Sequence, residues 1–387
     1  MFRTVSRPLG LSLFLVNLLA FAVTPSIAQA ASRQCATGTT IVSSPSPGTV
    51  GNHLSSVVSL SATDAWAVGG ASTPVGNPPM LQSKPLVVHW NGSAWRAVHA
   101  PLAGEGALSG IAAVSASDLW AVGHQGAPDA GTPLIEHWNG SAWSVVPSPA
   151  IPQGYLLGVY AFGADDVWTV GIRLGTISYS LIEHWDGSSW KVIESPNPGA
   201  DYNEIDSVVA ISHHEAWAVG FSISNNASTP IVARWNGSRW SLVQNPATAA
   251  HDNILRSVAG RSEGDVWAVG QSRSADGSTV MTLVEHWDGR GWKVVASPSP
   301  SQQSWLTGVA VRGGEVWAVG VRVDGFTNHS LMVHGTEGQL SAVISSNRGT
   351  GDNGLEGVAI ANGTAWAVGS DQGQTKGQSL VLLACSQ

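Results

Sequence analysis

Trp66-Ala67-Val68-Gly69 is the stretch whose reading decides the fold. The same four residues return at Trp120, Trp217, Trp267, Trp317 and Trp366, and a Trp-Thr-Val-Gly variant stands at Trp168. Successive tryptophans lie 54, 48, 49, 50, 50 and 49 residues apart. Seven copies at a near-constant period mean one supersecondary unit used seven times, each needing its neighbours to bury an apolar face.

The third copy reads as four strands. Tyr155 to Phe162 is an apolar, β-prone run, and Gly163-Ala164-Asp165-Asp166 is a turn. Val167 to Gly171 is a second short strand, Tyr179 to Trp185 a third, and Trp190 to Glu194 a fourth. Asp186-Gly187 joins the last two, because a tight hairpin needs residues that accept positive φ. Pro196 and Pro198 end the unit, since proline cannot donate to a strand ladder. Several runs are continuously apolar rather than alternating, as in sheets covered on both faces. These features predict an all-β, seven-bladed β-propeller with four antiparallel strands per blade.

The turn between third and fourth strands is a second repeated motif. His89-Trp90-Asn91-Gly92-Ser93-Ala94-Trp95 has counterparts at His137–Trp143, His184–Trp190, Arg234–Trp240 and His286–Trp292. The sixth copy has decayed to His334-Gly335-Thr336-Glu337-Gly338-Gln339-Leu340. The tryptophans supply area for packing blade on blade. A third strand, a Trp-containing fourth strand, a proline joint, a new inner strand and an aromatic-x-Val-Gly end resemble the kelch repeat of β-propellers. Trp292 to Pro298 followed by Trp317 to Gly320 carries the likeness best, and it runs through essentially all of 31–387. The chain departs from kelch in its glycine doublet, present only at Gly69-Gly70. The hairpin is also similar to the sialidase Asp-box, but Asp186-Gly187 is spaced one residue too short.

Composition agrees with one large folded domain. The chain has 387 residues, only 11% of them charged, with 45 glycines and 18 tryptophans. Low charge with many aromatics argues against disorder. The formal charge is −8 and no basic stripe occurs, which argues against a nucleic-acid role. Residues 1–30 read as a secretory signal peptide. Arg3 and Arg7 precede an apolar run from Leu11 to Val23, and Ala28-Gln29-Ala30 is a small-x-small cleavage site. No later segment is apolar for long enough to cross a membrane as a helix. The expectation is an exported, monomeric protein, released or held at the cell envelope, whose residues 31–387 form one propeller.

The ends of that domain complement each other. The seventh repeat stops at Leu380-Val381-Leu382-Leu383-Ala384-Cys385, where Cys385 aligns with the Asn or Asp of the hairpin turn. Aligned through Pro45, Cys35 falls on the same position. The last blade is therefore expected to take its fourth strand from the N-terminal segment, with a Cys35–Cys385 disulfide replacing the missing turn. These are the only two cysteines, in a chain read as exported.

The repeated histidines sit in different blades and so cannot converge on one metal ion; packing explains them better. The repeated acids Asp64, Asp118, Asp166, Glu215, Asp265 and Glu315 read as turn caps. No metal, cofactor or catalytic residue is assigned. A copper-radical oxidase similar to galactose oxidase needs a Tyr–Cys cross-link, and both cysteines are already used. A sialidase needs an arginine triad, and the arginines here occupy unlike repeat positions. Sequons at Asn91, Asn139, Asn226, Asn236, Asn328 and Asn362 need no glycan, since three belong to the hairpin turn.

What varies between repeats marks where to look. The residues just before each inner-strand Leu or Ile include His53, Tyr155, Glu204 and Trp305; those just after include Asp206, Arg256 and Glu356. All are expected to ring one mouth of the axis. They form either a ligand-binding set or ordinary loop residues with an Asp206–Arg256 contact between adjacent blades. The functional expectation is a binding or scaffold protein for an extracellular protein or carbohydrate. The alternatives are an extracellular hydrolase or oxidase working at the same mouth and a purely structural envelope protein.

Overall fold

A computed structural model describes residues 38–76, 79–102, 104–127, 130–246, 252–373 and 376–385. The expected signal peptide and Cys35 lie outside them. The described chain forms seven four-stranded antiparallel sheets, and every sheet is ordered as the repeat predicts. Blades 1 to 6 cover 51–98, 106–145, 154–193, 202–242, 254–294 and 304–343. In blade 3 the strands run Gly154–Gly163, Asp166–Arg173, Tyr179–Trp185 and Trp190–Ile193. No helix among the described residues is long and apolar enough to span a membrane.

Blade 7 combines both ends of the chain. Its first three strands are Asp352–Ala361, Thr364–Gln372 and Gly377–Cys385, and its outer strand is Thr39–Ile41. Thr39 pairs with Ala384, Thr40 with Leu383 and Ile41 with Leu382. Three residues make a weak pairing, and side chains reinforce it. The Ser346 amide donates to Thr39 Oγ1 (2.7 Å), and Lys376 Nζ donates to the Ser46 carbonyl (2.8 Å).

Tryptophan cements one blade to the next. The second-strand Trp66 of blade 1 meets Trp138 (5.0 Å between ring centroids) and Trp143 (5.9 Å) of blade 2. Across the closure, Trp366 of blade 7 meets Trp90 (5.1 Å) and Trp95 (5.2 Å) of blade 1. Where the hairpin motif has decayed, Trp267 packs on Leu340 and Trp317 on Ile41 instead. Each interface thus buries a large aromatic area that no single blade could hide.

The glycine of Trp-Ala-Val-Gly has a specific cause. In all seven inner strands the register slips by one residue just after the conserved Leu or Ile. This β-bulge pushes the preceding carbonyl against the second strand. A Cβ at Gly69, Gly123, Gly171, Gly270, Gly320 or Gly369 would lie 2.0 Å from that oxygen. The extra residue of each bulge is Ser55, Ser109, Leu157, Asp206, Arg256, Thr307 or Glu356, and each lines the axial channel.

Candidate functional site

The seven inner strands enclose a channel of about 450 Å³. Its lining includes small residues such as Gly110, Ala112, Gly158, Ala259 and Ala310, but the surface it exposes is more polar than apolar. The bulge residues stand at one end of it. The residues preceding each Leu or Ile lie one step nearer the mouth, on the side where the loops between second and third strands and between blades gather. All seven candidates from the sequence therefore belong to one end of the axis, but they do not form one cluster.

Three of them, Glu204, Asp206 and Arg256, form an ionic network spanning blades 4 and 5. Arg256 Nη1 donates to Asp206 Oδ1 (3.1 Å) and to Glu204 Oε1 (3.2 Å). Tyr202 Oη donates to Glu204 Oε2. The Arg256 guanidinium lies 4.8 Å from the Phe221 ring centroid, and Tyr202 stacks on the same ring at 5.5 Å. Burial, then the Glu204 charge, raise the Asp206 carboxyl well above its ordinary range despite Arg256. Burial raises Tyr202 as well, and its carboxylate neighbours add to this. Asp206 Oδ2 is sealed from solvent without a hydrogen-bond partner of good geometry. Two closely placed carboxyls with one arginine and a phenol hold a proton readily.

The other candidates are separate. Glu356 opens to water inside the channel but is surrounded by protein. Burial raises its carboxyl, opposed by His53 and by the Ser55 hydroxyl. His53 explains the glycine doublet, because a Cβ at Gly70 would lie 2.6 Å from its ring. Tyr155 packs tilted against His124 at 5.2 Å and accepts the Gly131 amide at 3.3 Å. Trp305 is partly buried and, alone among the 18 tryptophans, stacks on no other ring among the described residues.

The repeated histidines take a structural place. His89, His137, His184 and His286 stack on the second-strand tryptophan of their own blade at 4.1–4.3 Å. Each also binds the acid that precedes that tryptophan: His89 with Asp64 (2.9 Å), His137 with Asp118 (2.8 Å), His184 with Asp166 (2.8 Å) and His286 with Asp265 (3.0 Å). In blade 4 the pair becomes Arg234 and Glu215 at 3.0 Å. The acids were expected to cap their own turns, and this is corrected. All but Glu315 are partners of the third strand, because the antiparallel register sets them near a residue some 20 positions later. No group of three metal-ligating side chains occurs among the described residues.

Two sets of residues escaped the sequence reading. Asn52, Asn203 and Asn353 are buried where each inner strand begins. Each accepts a loop amide and returns its own NH2 to loop carbonyls; Asn203 takes Gly199 N (2.7 Å) and donates to Gly199 O (2.9 Å) and Ser178 O (3.2 Å). These clamps fix the loops that frame the mouth, and their recurrence at one repeat position was the available signal. Glu136, Glu183 and Glu285 are fully buried between blades, where blades 1 and 4 carry Val88 and Ala233. Burial pushes Glu136 up to about 7, with the Leu102 amide opposing, and Glu183 up to about 8.

No family model matches the chain, and no curated protein matches its sequence. Solved structures do match over nearly the whole length. YCF48 bound to a D1 peptide aligns with a TM-score of 0.56 at 12% identity, over 91% of this chain and 98% of that one. The WD40 β-propeller domain of Doa1 gives 0.57 at 14%, over 90% and 97%. A PL25 polysaccharide lyase, an ulvan lyase bound to -[GlcA(1-4)Rha3S]-, gives 0.55 at 10%, over 88% and 95%. At such identities the likeness establishes the propeller fold alone.

Proposed function

We propose that this chain is an exported, kelch-like propeller that binds an extracellular protein or glycan at the mouth framed by its variable loops. Trp305 carries the reading. Every other tryptophan occupies a position that recurs as tryptophan or as part of the hairpin motif and packs against another ring, whereas Trp305 stands at a variable position at the mouth and stacks on no other ring among the described residues. An unpaired aromatic beside a concave opening with charged groups is what recognition sites use. Propellers of similar fold that hold a peptide or a polysaccharide support a role of this kind.

The test is a glycan array and a pull-down from the surface fraction of the source cells, each run with the wild type and Trp305→Ala. Capture by the wild type alone places recognition at the mouth. Equal capture by both variants, or capture by neither, removes the reading. One observation favours the second reading, an extracellular enzyme at the same mouth. Tyr202, Glu204 and Asp206 form a proton-holding set, as general acid–base chemistry requires. A hydrolytic activity abolished by Asp206→Asn with the fold intact would promote it.

A further inference from the structure

We propose that the loop between the second and third strands of blade 3 binds an acidic sugar residue, a carboxylated or sulfated unit of a glycan. The loop is one of those framing the mouth, so the inference deepens the binding role proposed above and rests on it.

The hollow is preformed. Residues 173–177 and Tyr179 line a cavity of about 330 Å³. Ligand pockets begin at about 300 Å³, so this one suits a small ligand unit. The loop is held at both ends. The Leu174 amide donates to the Gln153 carbonyl (2.9 Å), and the Ser178 amide to the Asp201 carbonyl just ahead of blade 4 (3.2 Å). The Ser178 carbonyl accepts the Asn203 amide (3.0 Å) and the Asn203 side-chain NH2 (3.2 Å). A loop fixed in this way loses little further freedom when a ligand arrives.

Its polar groups are free to bind. Arg173 and Tyr179 are register partners at the end of their strand pair. Their side chains therefore lie side by side on one face of the sheet. Both are exposed, whereas Ile172 and Ser180, on the other face, are buried. The Arg173 guanidinium and the Thr176 and Tyr179 hydroxyls have no hydrogen-bond or ion-pair partner among the described residues. By contrast Arg322, at the same repeat position in blade 6, pairs with Asp324, and Arg348 pairs with Asp371 at 3.3 Å.

Chemistry selects the ligand. A guanidinium takes a carboxylate or sulfate through parallel N–H donors. The Tyr179 ring beside it offers a negative face to the C–H side of a sugar ring, and the two hydroxyls suit those of the sugar. A neutral sugar would leave the guanidinium without a counter-charge. A bare inorganic anion would leave Tyr179 and the exposed Ile177 uncovered. The formal charge of −8 opposes diffuse attraction of an acidic polymer, so its capture requires a local site of this kind.

The experiment is calorimetric titration of the full chain with trigalacturonate, a sulfated galactan oligosaccharide, a neutral cello-oligosaccharide and inorganic sulfate, in low and in high salt. An acidic oligosaccharide is expected to bind, and the tighter of the two identifies the acid group. Arg173→Gln and Tyr179→Ala are each expected to weaken it at least about tenfold. High salt is expected to weaken it as well. Arg273→Gln removes an exposed cation at the end of the second strand of blade 5, outside the hollow, and is expected to leave binding unchanged. Circular dichroism of each variant checks the fold. Binding of neither acidic oligosaccharide, or equal losses for Arg173→Gln and Arg273→Gln, overturns the inference. Inorganic sulfate binding as tightly as the oligosaccharides means an adventitious ion only and overturns it too. Binding of the neutral oligosaccharide, indifferent to Arg173→Gln and lost in Trp305→Ala, overturns it while keeping the mouth as a binding face. Indifference of every ligand to both Arg173→Gln and Trp305→Ala removes both.

Discussion

The carbonyl oxygen of Glu204 occupies the space that a side chain on Gly220 would need; a Cβ there would lie 2.1 Å away. The bulge that brings this oxygen forward also turns Asp206 toward the channel. One backbone feature therefore links the repeat's signature glycine to the mouth's chemistry. Gly220→Ala must flatten the bulge or spread the strands. It is expected to cost about 1–3 kcal/mol or more, as overpacking does, and to disturb the Arg256 network. Urea denaturation compared with Gly291→Ala, at an open hairpin glycine where two other repeats carry Ala94 and Ala142, measures it. Equal stability of the two variants would refute the account.

Trp217 is fully buried and meets Trp287 at 4.9 Å and Trp292 at 5.3 Å in the next blade. Trp217→Ala should destabilise by roughly 3–5 kcal/mol. Trp305→Ala should change stability far less, because that ring packs on none of its fellows. Thermal unfolding of both variants separates the structural tryptophans from the recognition tryptophan.

Glu136 and Glu183 make stability fall with rising pH. Each ordinarily titrates near 4.5, but in the folded chain near 7 and near 8 respectively. Between these values the folded state holds protons that the unfolded state has lost, so ionisation favours unfolding. The penalty is absent below about pH 4.5, grows through pH 7–8 and reaches on the order of 3–5 kcal/mol per group. Glu183→Gln, which keeps shape without charge, should flatten the decline. Melting temperatures at pH 5, 7 and 9 check this, and an unchanged slope in the variant would refute it.

Closure of the ring depends on a three-residue outer strand. Cys385 ends the strand beside it, and no cysteine among the described residues is free. We propose the Cys35–Cys385 disulfide as the lock. Thiol labelling of the unreduced exported protein should find no reactive cysteine, and reduction should lower stability by about 2–4 kcal/mol. Two labelled cysteines would end the proposal.

Much of the fold was legible because its determinants are local and repeated. The hairpin dipeptides, the strand runs of blade 3 and the N-terminal closing strand all came from spacing. The place of His53, Glu204, Asp206, Arg256 and Glu356 at one end of the axis also followed from the repeat. Asp64 and its equivalents were misplaced because their partners, such as His89, are reached only across a strand pair. The asparagine clamps were overlooked because Asn52 and Asn203 read as ordinary strand ends, and their bonds go to loops with no shared sequence.

The sequence by itself determined a seven-part ring, its strand order and the way its ends meet. A period of about 50 residues fixes which units are neighbours, and turn chemistry fixes how each unit folds. Only the tertiary structure decided that Arg256 spans Glu204 and Asp206, that Glu356 is left across the channel, and that Trp305 stacks on no other ring among the described residues. Those outcomes depend on the direction each bulge gives its extra side chain and on contacts between residues one blade apart. Side-chain direction at a bulge departs from strand alternation, so no periodic pattern in the chain records it.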